Sequence, residues 1–289
     1  MKSTAPQQLA GKTILITGAT RGIGLAAADA LARMGASIIV HGRSTERVDE
    51  TLAALAKAAP DSTSEGIVAD LGSLDEVRAL AAEVSARRDR LDVLINNAGL
   101  TTLQREETVD GLERQFAVNH LAPFLLTSLL LDKLRVSTPA RIVNVSSNAH
   151  FRAAFDIDDL NWVRRRYSAL GAYGATKLAN IMFTRELARK LDGTGITVNC
   201  LHPGVVATHI FAGLGILGAL FGVLSKPFLL NPVQGARTTV HLASAESVAE
   251  TSGLFFNRSE PAETSRLARD DTLARHLWQI SEQLVGQHD

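Results

Sequence analysis

Tyr173 and Lys177 stand four residues apart in "AYGATKLAN", a spacing that puts both side chains on one side of a helix with Cβ atoms about 5–6 Å apart. A phenol titrates near 10 and is a poor base at neutral pH. A cation about 4 Å away, at an effective dielectric near 20, contributes roughly 4 kcal/mol, an upper limit of about three pKa units. The lysine is therefore expected to draw the phenol toward a range in which it can exchange protons with a substrate. Taken alone the pair also describes an ordinary solvated helix face. Its companions elsewhere in the chain decide the matter.

The first companion is "TGATRGIG", Thr17 to Gly24, which follows an apolar run and precedes an alanine-rich one. Gly18, Gly22 and Gly24 can take up positive φ and let a phosphate approach the backbone. The helix N-terminus beyond them offers unpaired N–H groups and a partial positive charge. Thr20, Arg21 and Ile23 fill the same turn. The spacing is G-x-x-x-G-x-G rather than the G-x-G-x-x-G of the ordinary dinucleotide turn, so by itself it reads either as a phosphate cradle or as a tight strand-to-helix connection.

These residues need a scaffold, and hydrophobic periodicity supplies one. Nearly continuous apolar runs at 12–17, 37–41, 66–69, 91–96, 141–146, 196–201 and 253–256 read as strands covered on both faces. Between them, 22–34, 45–59, 74–88, 110–134, 172–192, 232–244 and 267–285 read as helices. "SLDE", Ser73 to Glu76, has capping-box spacing, and Gly35 sits where a helix stop belongs. The alternation predicts one α/β domain over 1–289, a single-domain Rossmann-type doubly wound parallel sheet of about seven strands with helices on both faces. A cofactor-binding and catalytic core would occupy 10–205, a flap 206–230, and C-terminal helices with the last strand 231–289. The stretches 148–171 and 209–230 exceed ordinary connections and are expected to carry function.

Composition narrows the partners. The 289 residues balance 30 basic against 30 acidic side chains, which gives no electrostatic case for nucleic acid or for an acidic membrane surface. A small-molecule partner is expected, with a homo-oligomer possible. Cys200 is the single cysteine and lies in an apolar run, the N-terminus lacks an apolar leader core, and a cytoplasmic setting fits. The sequons at Asn144 and Asn257 read as chance matches. His150, His202 and His209 lack the spacing of a metal site and read as surface or packing residues.

"NNAG" (Asn96–Gly99), an asparagine in the following helix (Asn119), a serine after the fifth strand and Y-x-x-x-K complete a series that begins with the glycine turn. In all five, over roughly residues 10–260, the chain resembles the short-chain dehydrogenase/reductase family. Through "RIVNVSSNAH", "HPGVVAT" and "LWQISEQLVG" it resembles most the retinol-dehydrogenase-like branch. The resemblance implies hydride transfer between a nicotinamide cofactor and a lipophilic alcohol, aldehyde or ketone. Tyr173 would exchange the proton, helped by Lys177 and the cationic cofactor. Ser147 rather than Ser146 would hydrogen-bond the reacting oxygen. Lys177 would hold the nicotinamide ribose, and Asn119 would position a water behind the lysine. Asp70 and Leu71 would flank the adenine, Asn97, Ala98 and Gly99 would run along the ribose, and the stretch from Pro203 and Gly204 through Val206 to Thr208 would lie near the nicotinamide.

The end of the second strand should carry an acidic residue if the cofactor were NAD. "VHGRSTER" has Arg43 there instead, with Arg21 as a second positive charge, and a guanidinium fork suits a 2′-phosphate. NADP(H) is therefore expected. "IFAGLGILGALFGVL" (210–224) is uncharged but shorter than the roughly twenty residues that span a bilayer, so no stable membrane insertion is expected. It stands where the family places its substrate flap, and would close over an apolar substrate. The competing reading is a catalytically weak, nucleotide-responsive binding or regulatory protein on the same fold.

Overall fold

The structure is a computed structural model and describes residues 8–204 and 230–286. Eight strands form one sheet in the order β3-β2-β1-β4-β5-β6-β7-β8. They are β1 Thr13–Ile16, β2 Ser37–Gly42, β3 Ser64–Val68, β4 Val93–Asn96, β5 Ala140–Val145, β6 Ile196–His202, β7 Phe255–Asn257 and β8 Glu260–Pro261. The first seven pair in parallel, as in the register Ile14 to Ile38 and Ile14 to Val93. β1 and β4 are buried along their whole length, which is why the runs are continuously apolar instead of alternating.

The sheet exceeds the expected seven strands by one. β8 turns back antiparallel on β7 through Arg258 and Ser259, both at positive φ. Two residues, one of them proline, leave no periodicity to detect.

The helices are α1 Gly22–Arg33, α2 Thr45–Ala58, α3 Leu74–Arg87, α4 Arg114–Phe116, α5 Ala122–Val136, α6 Ala169–Lys190, α7 Pro232–Ser244 and α8 Asp271–Leu284. One core lies between the sheet and α1, α2 and α7. The other lies between the sheet and α3, α5, α6 and α8. Gly35 does end α1, at φ 93° with its N–H on the Ala32 carbonyl. The expected capping box at α3 is half made. Ser73 Oγ accepts from Glu76 N at 3.4 Å, while the Glu76 carboxylate turns away to Asp70 N at 2.6 Å.

Two helix starts also differ from expectation. The helix expected from 110 begins at Arg114, where the buried Glu113 carboxylate accepts from Gln115 N and Phe116 N. Its next turn, Ala117–Leu121, is a π-helix, a form that concentrates at functional sites. The helix expected from 172 starts three residues early, capped by Ser168. Within 148–171 lie two short 3₁₀ turns, Asn148–Arg152 and Ile157–Asp159. Asn144 is buried in β5 with its amide on Thr184 Oγ1, a poor position for a glycan. Cys200 is buried in β6, and that burial pushes its thiol up to about 12. Among the described residues no helix is long and apolar enough to cross a membrane.

His41, His120 and His202 are buried, and burial first of all lowers each imidazole to about 4. An unfolded histidine titrates near 6.5, so as pH falls the unfolded chain takes up these protons first. The stability tied to the neutral rings is complete above about 6.5 and drains away toward 4, by up to about 3 kcal/mol for each. Urea denaturation at a series of pH values should show this decline. In His120→Leu, which loses the bond to Ser281 Oγ, the decline should be shallower even though the variant is less stable at pH 7. Parallel curves would contradict the assignment.

Candidate active site

The usual position for a ligand in an open parallel sheet, outside the carboxyl ends of the strands where the order reverses, here lies between β1 and β4. A cleft of about 1240 Å³ opens there. Gly18, Thr20, Arg21, Gly22, Ile23 and Gly24 line it from the first turn, Arg43 from just after β2, and Asp70 and Leu71 from the loop after β3. Asn97, Ala98 and Gly99 line it after β4, with Tyr173, Lys177 and Pro203 at the inner end. Ser147 and Asn119 are not among the lining residues, which include their neighbours Ser146 and Val118. Gly204, at φ 86°, follows Pro203 beside Leu230. Val206, Thr208, His209 and the flap expectation lie outside the described residues.

The two glycine-bearing segments interlock. Thr17 Oγ1 accepts from Asn97 N at 3.0 Å and Ala98 N at 3.1 Å, while Asn97 Nδ2 donates to Thr17 O at 2.8 Å and Gly18 O at 3.2 Å. Gly18 sits at φ 66°, a conformation glycine takes without cost. At Gly24 the reason is space. A Cβ there would run into the Gly18 carbonyl and the Asn97 amide. His41 closes the turn from the other side, its Nδ1 accepting from Gly18 N at 3.2 Å and its Nε2 donating to Ala69 O at 3.1 Å. An isolated histidine inside an apolar strand gives no sequence signal for this bracing.

At the outer end Arg21, Arg43 and Arg47 gather with Ser44. Among the described residues none of the three arginines pairs with a carboxylate. Burial lowers the Arg21 pKa, and repulsion first from Arg47 and then from Arg43 lowers it further. Arg47 was not legible as a site residue. It reaches the cleft because Ser44 caps α2 and puts Arg47 in the first turn.

At the inner end, α6 carries Tyr173 and Lys177. Lys177 is 3% exposed, and its Nζ donates to Val145 O at 2.9 Å and lies 5.5 Å from the Tyr173 ring centroid. The two serines divide. Ser146 Oγ is buried and donates to Lys177 O at 2.7 Å, whereas Ser147 lies near enough to the Tyr173 phenol to favour its ionised form and accepts from Ala149 N at 3.1 Å. Burial pushes Tyr173 up to about 12 against the opposing pull of Ser147, and pushes Lys177 down to about 8. In the protein alone the phenol is therefore raised, and Lys177 by itself does not produce the lowering expected of lysine and cationic cofactor together. Desolvation disfavours both charged forms, and the lysine is aimed at a carbonyl instead of the phenol.

Asn119 occupies the π turn. Its Oδ1 accepts from Leu100 N at 2.8 Å, and its Nδ2 donates to Leu100 O at 2.9 Å and Thr176 Oγ1 at 3.1 Å. The side chain is thus occupied in fastening the loop after β4 to α6. His150 and His202 are both buried.

A family described as short chain dehydrogenase matches residues 12–215. Human retinol dehydrogenase 13 is 42% identical over 290 residues, covering 99% of this chain and 86% of that protein. A crystal structure from Mycobacterium paratuberculosis superimposes with a TM-score of 0.79 at 35% identity, covering 96% of this chain and 94% of that one. A structure from Beutenbergia cavernae with bound NADP gives a TM-score of 0.71 at 30% identity, over 88% and 97% of the two chains. The chain belongs to the short-chain dehydrogenase family. Within it the protein falls in the retinol-dehydrogenase-like branch, and it is an oxidoreductase acting on CH–OH groups.

Gly24→Ala tests the interlock. The added methyl must displace the Gly18 carbonyl, an overpacking that costs about 1–3 kcal/mol. A lowered melting temperature and at least tenfold weaker binding of nicotinamide dinucleotides are expected by calorimetry and fluorescence titration, about 1.4 kcal/mol in binding. Wild-type values for both would contradict it.

Proposed function

We propose that the protein is an NADP(H)-dependent oxidoreductase that interconverts a lipophilic aldehyde or ketone and its alcohol, using Tyr173, Lys177, Ser147 and Asn119. The observation that carries the reading is the cleft's two ends. A half-buried tyrosine beside a serine and a buried lysine lies at one, and three arginines with no carboxylate partner among the described residues lie at the other.

The turn fits a dinucleotide. Its glycines line the cleft with bare backbone ahead of the N-terminus of α1, and the arginines suit a dianion. When bound, the nicotinamide cofactor supplies or receives the hydride. Tyr173, protonated at neutral pH, donates its proton to the carbonyl oxygen in the reducing direction. Ser147 bonds the same oxygen and steadies its developing negative charge. Lys177 stands close enough to stabilise the phenolate left behind, and reversing these roles gives oxidation. Asn119 acts on Leu100 and Thr176, so its part is to hold the cleft wall against α6. Arg21, Arg43 and Arg47 bind the 2′-phosphate in place of the carboxylate that would favour NAD. A lipophilic substrate is supported by Leu100, Leu103 and Val118 in the cleft wall and by relatives named retinol dehydrogenases.

Two variants test the two ends together. Tyr173→Phe should keep NADPH binding and lose more than nine-tenths of kcat on a ten-carbon aldehyde, over about 1.4 kcal/mol of barrier. The double variant Arg43→Ala, Arg47→Ala should weaken NADPH more than NADH, by at least tenfold in relative affinity. Equal losses for both cofactors would overturn the phosphate reading, and a kcat above a tenth in Tyr173→Phe would overturn the proton donor.

A further inference from the structure

His150 follows Ser147 by three residues in the turn Asn148–Arg152 and is 2% exposed. Its Nδ1 lies 2.7 Å from the Ser147 carbonyl, an acceptor, and its Nε2 lies 3.2 Å from Ser265 N, a donor. Those two partners fix the tautomer. The proton sits on Nδ1, the ring is neutral, and both nitrogens are spent. Burial, which lowers the pKa of this imidazole, favours the same form. The ring also packs edge-on against Phe255 of β7 at 5.2 Å and beside Phe151 at 4.0 Å.

The opposite side of the turn rests on the catalytic helix. A Cβ at Gly174 would lie 2.8 Å from the Ala149 carbonyl and 3.1 Å from Ala153 Cα, so α6 and the turn meet backbone to backbone one residue past Tyr173. The Ser147 hydroxyl therefore sits in a short turn wedged between α6 and an imidazole, and that imidazole is anchored to the segment after β8. No other side chain among the described residues hydrogen-bonds the Ser147 carbonyl.

We propose that His150 is a positioning residue that sets the Ser147 hydroxyl against Tyr173 and makes this setting depend on the C-terminal segment at Ser265. The inference rests on the reading of Ser147 as a partner of the reacting oxygen. It explains why a buried polar ring is kept at a place where phenylalanine would pack: the ring carries a donor to one segment and an acceptor for another.

The test compares variants at kcat with saturating NADPH and a ten-carbon aldehyde, alongside NADPH affinity and melting temperature. His150→Phe keeps the aromatic packing and loses both bonds. His150→Asn keeps a donor within reach of the Ser147 carbonyl and gives up Ser265. Ser147→Ala is the reference. We expect kcat to fall about tenfold in His150→Phe with NADPH affinity within about twofold of wild type. His150→Asn should recover part of that loss, to about the level of a variant that lacks only the Ser265 bond. Should His150→Phe fail to fold, Ser265→Pro, which deletes the N–H donor and leaves the imidazole, should lower kcat about threefold or more. Wild-type kcat in the folded His150 or Ser265 variants, with kcat lost in Ser147→Ala, would overturn the inference alone. Equal impairment in His150→Phe and His150→Asn would overturn the role of the Nδ1 donor. Wild-type kcat in Ser147→Ala would overturn the reading of Ser147 on which the inference rests.

Discussion

The burial of Lys177 beside Tyr173 is the constraint around which this molecule is arranged. An ammonium taken out of water costs several kcal/mol unless its protons find partners, and here Nζ has the Val145 carbonyl at 2.9 Å. The site pays that cost because α6 is held on every side. Its residues Leu178, Ala179, Ile181, Met182 and Phe183 are buried in the larger core, and Trp278 of α8 packs on Phe183 and Phe124 at centroid distances of 5.9 and 4.8 Å. A helix so covered cannot rotate to bring its lysine to solvent. The same burial raises the phenol and lowers the ammonium, which sets the resting protonation state of the pair.

Everything else in the cleft is placed relative to that helix. Asn119 ties the wall after β4 to Thr176, and the turn after β5 rests on Gly174. The Thr17–Asn97 interlock binds the glycine turn to β4, so the arginine end and the Tyr173/Lys177 end of the cleft share one frame through adjacent strands β1, β4 and β5. Function sits in loops, but in loops pinned by side chains whose hydrogen bonds are nearly all made within the protein.

Much of this was legible in the residues. The apolar runs placed seven strands because doubly covered strands need no polar face, and the glycine turn, "NNAG" and Tyr173/Lys177 marked the lining of one cleft. Hidden features depend on distant partners. β8 has no pattern of its own, Glu113 at the shifted helix start is held by Asn161 and Tyr167 far along the chain, and the Tyr173 phenol responds to desolvation that no local spacing encodes. His150 read as a surface or packing residue and His41 carried no signal, because a histidine's role lies in which segments its two nitrogens join. Arg47 became visible only when the α2 cap turned it into the cleft.

The account stands most directly on the state of the Tyr173 phenol. The chain has two tyrosines, Tyr167 and Tyr173, so ¹³Cζ-tyrosine NMR across alkaline pH gives two resonances, which a Tyr167→Phe variant assigns. The account predicts that the Tyr173 signal of the free protein titrates well above 10, toward the value of about 12 set by its burial, and shifts downward when NADP⁺ is added. A Tyr173 resonance that titrates below 10 in the free protein would contradict it.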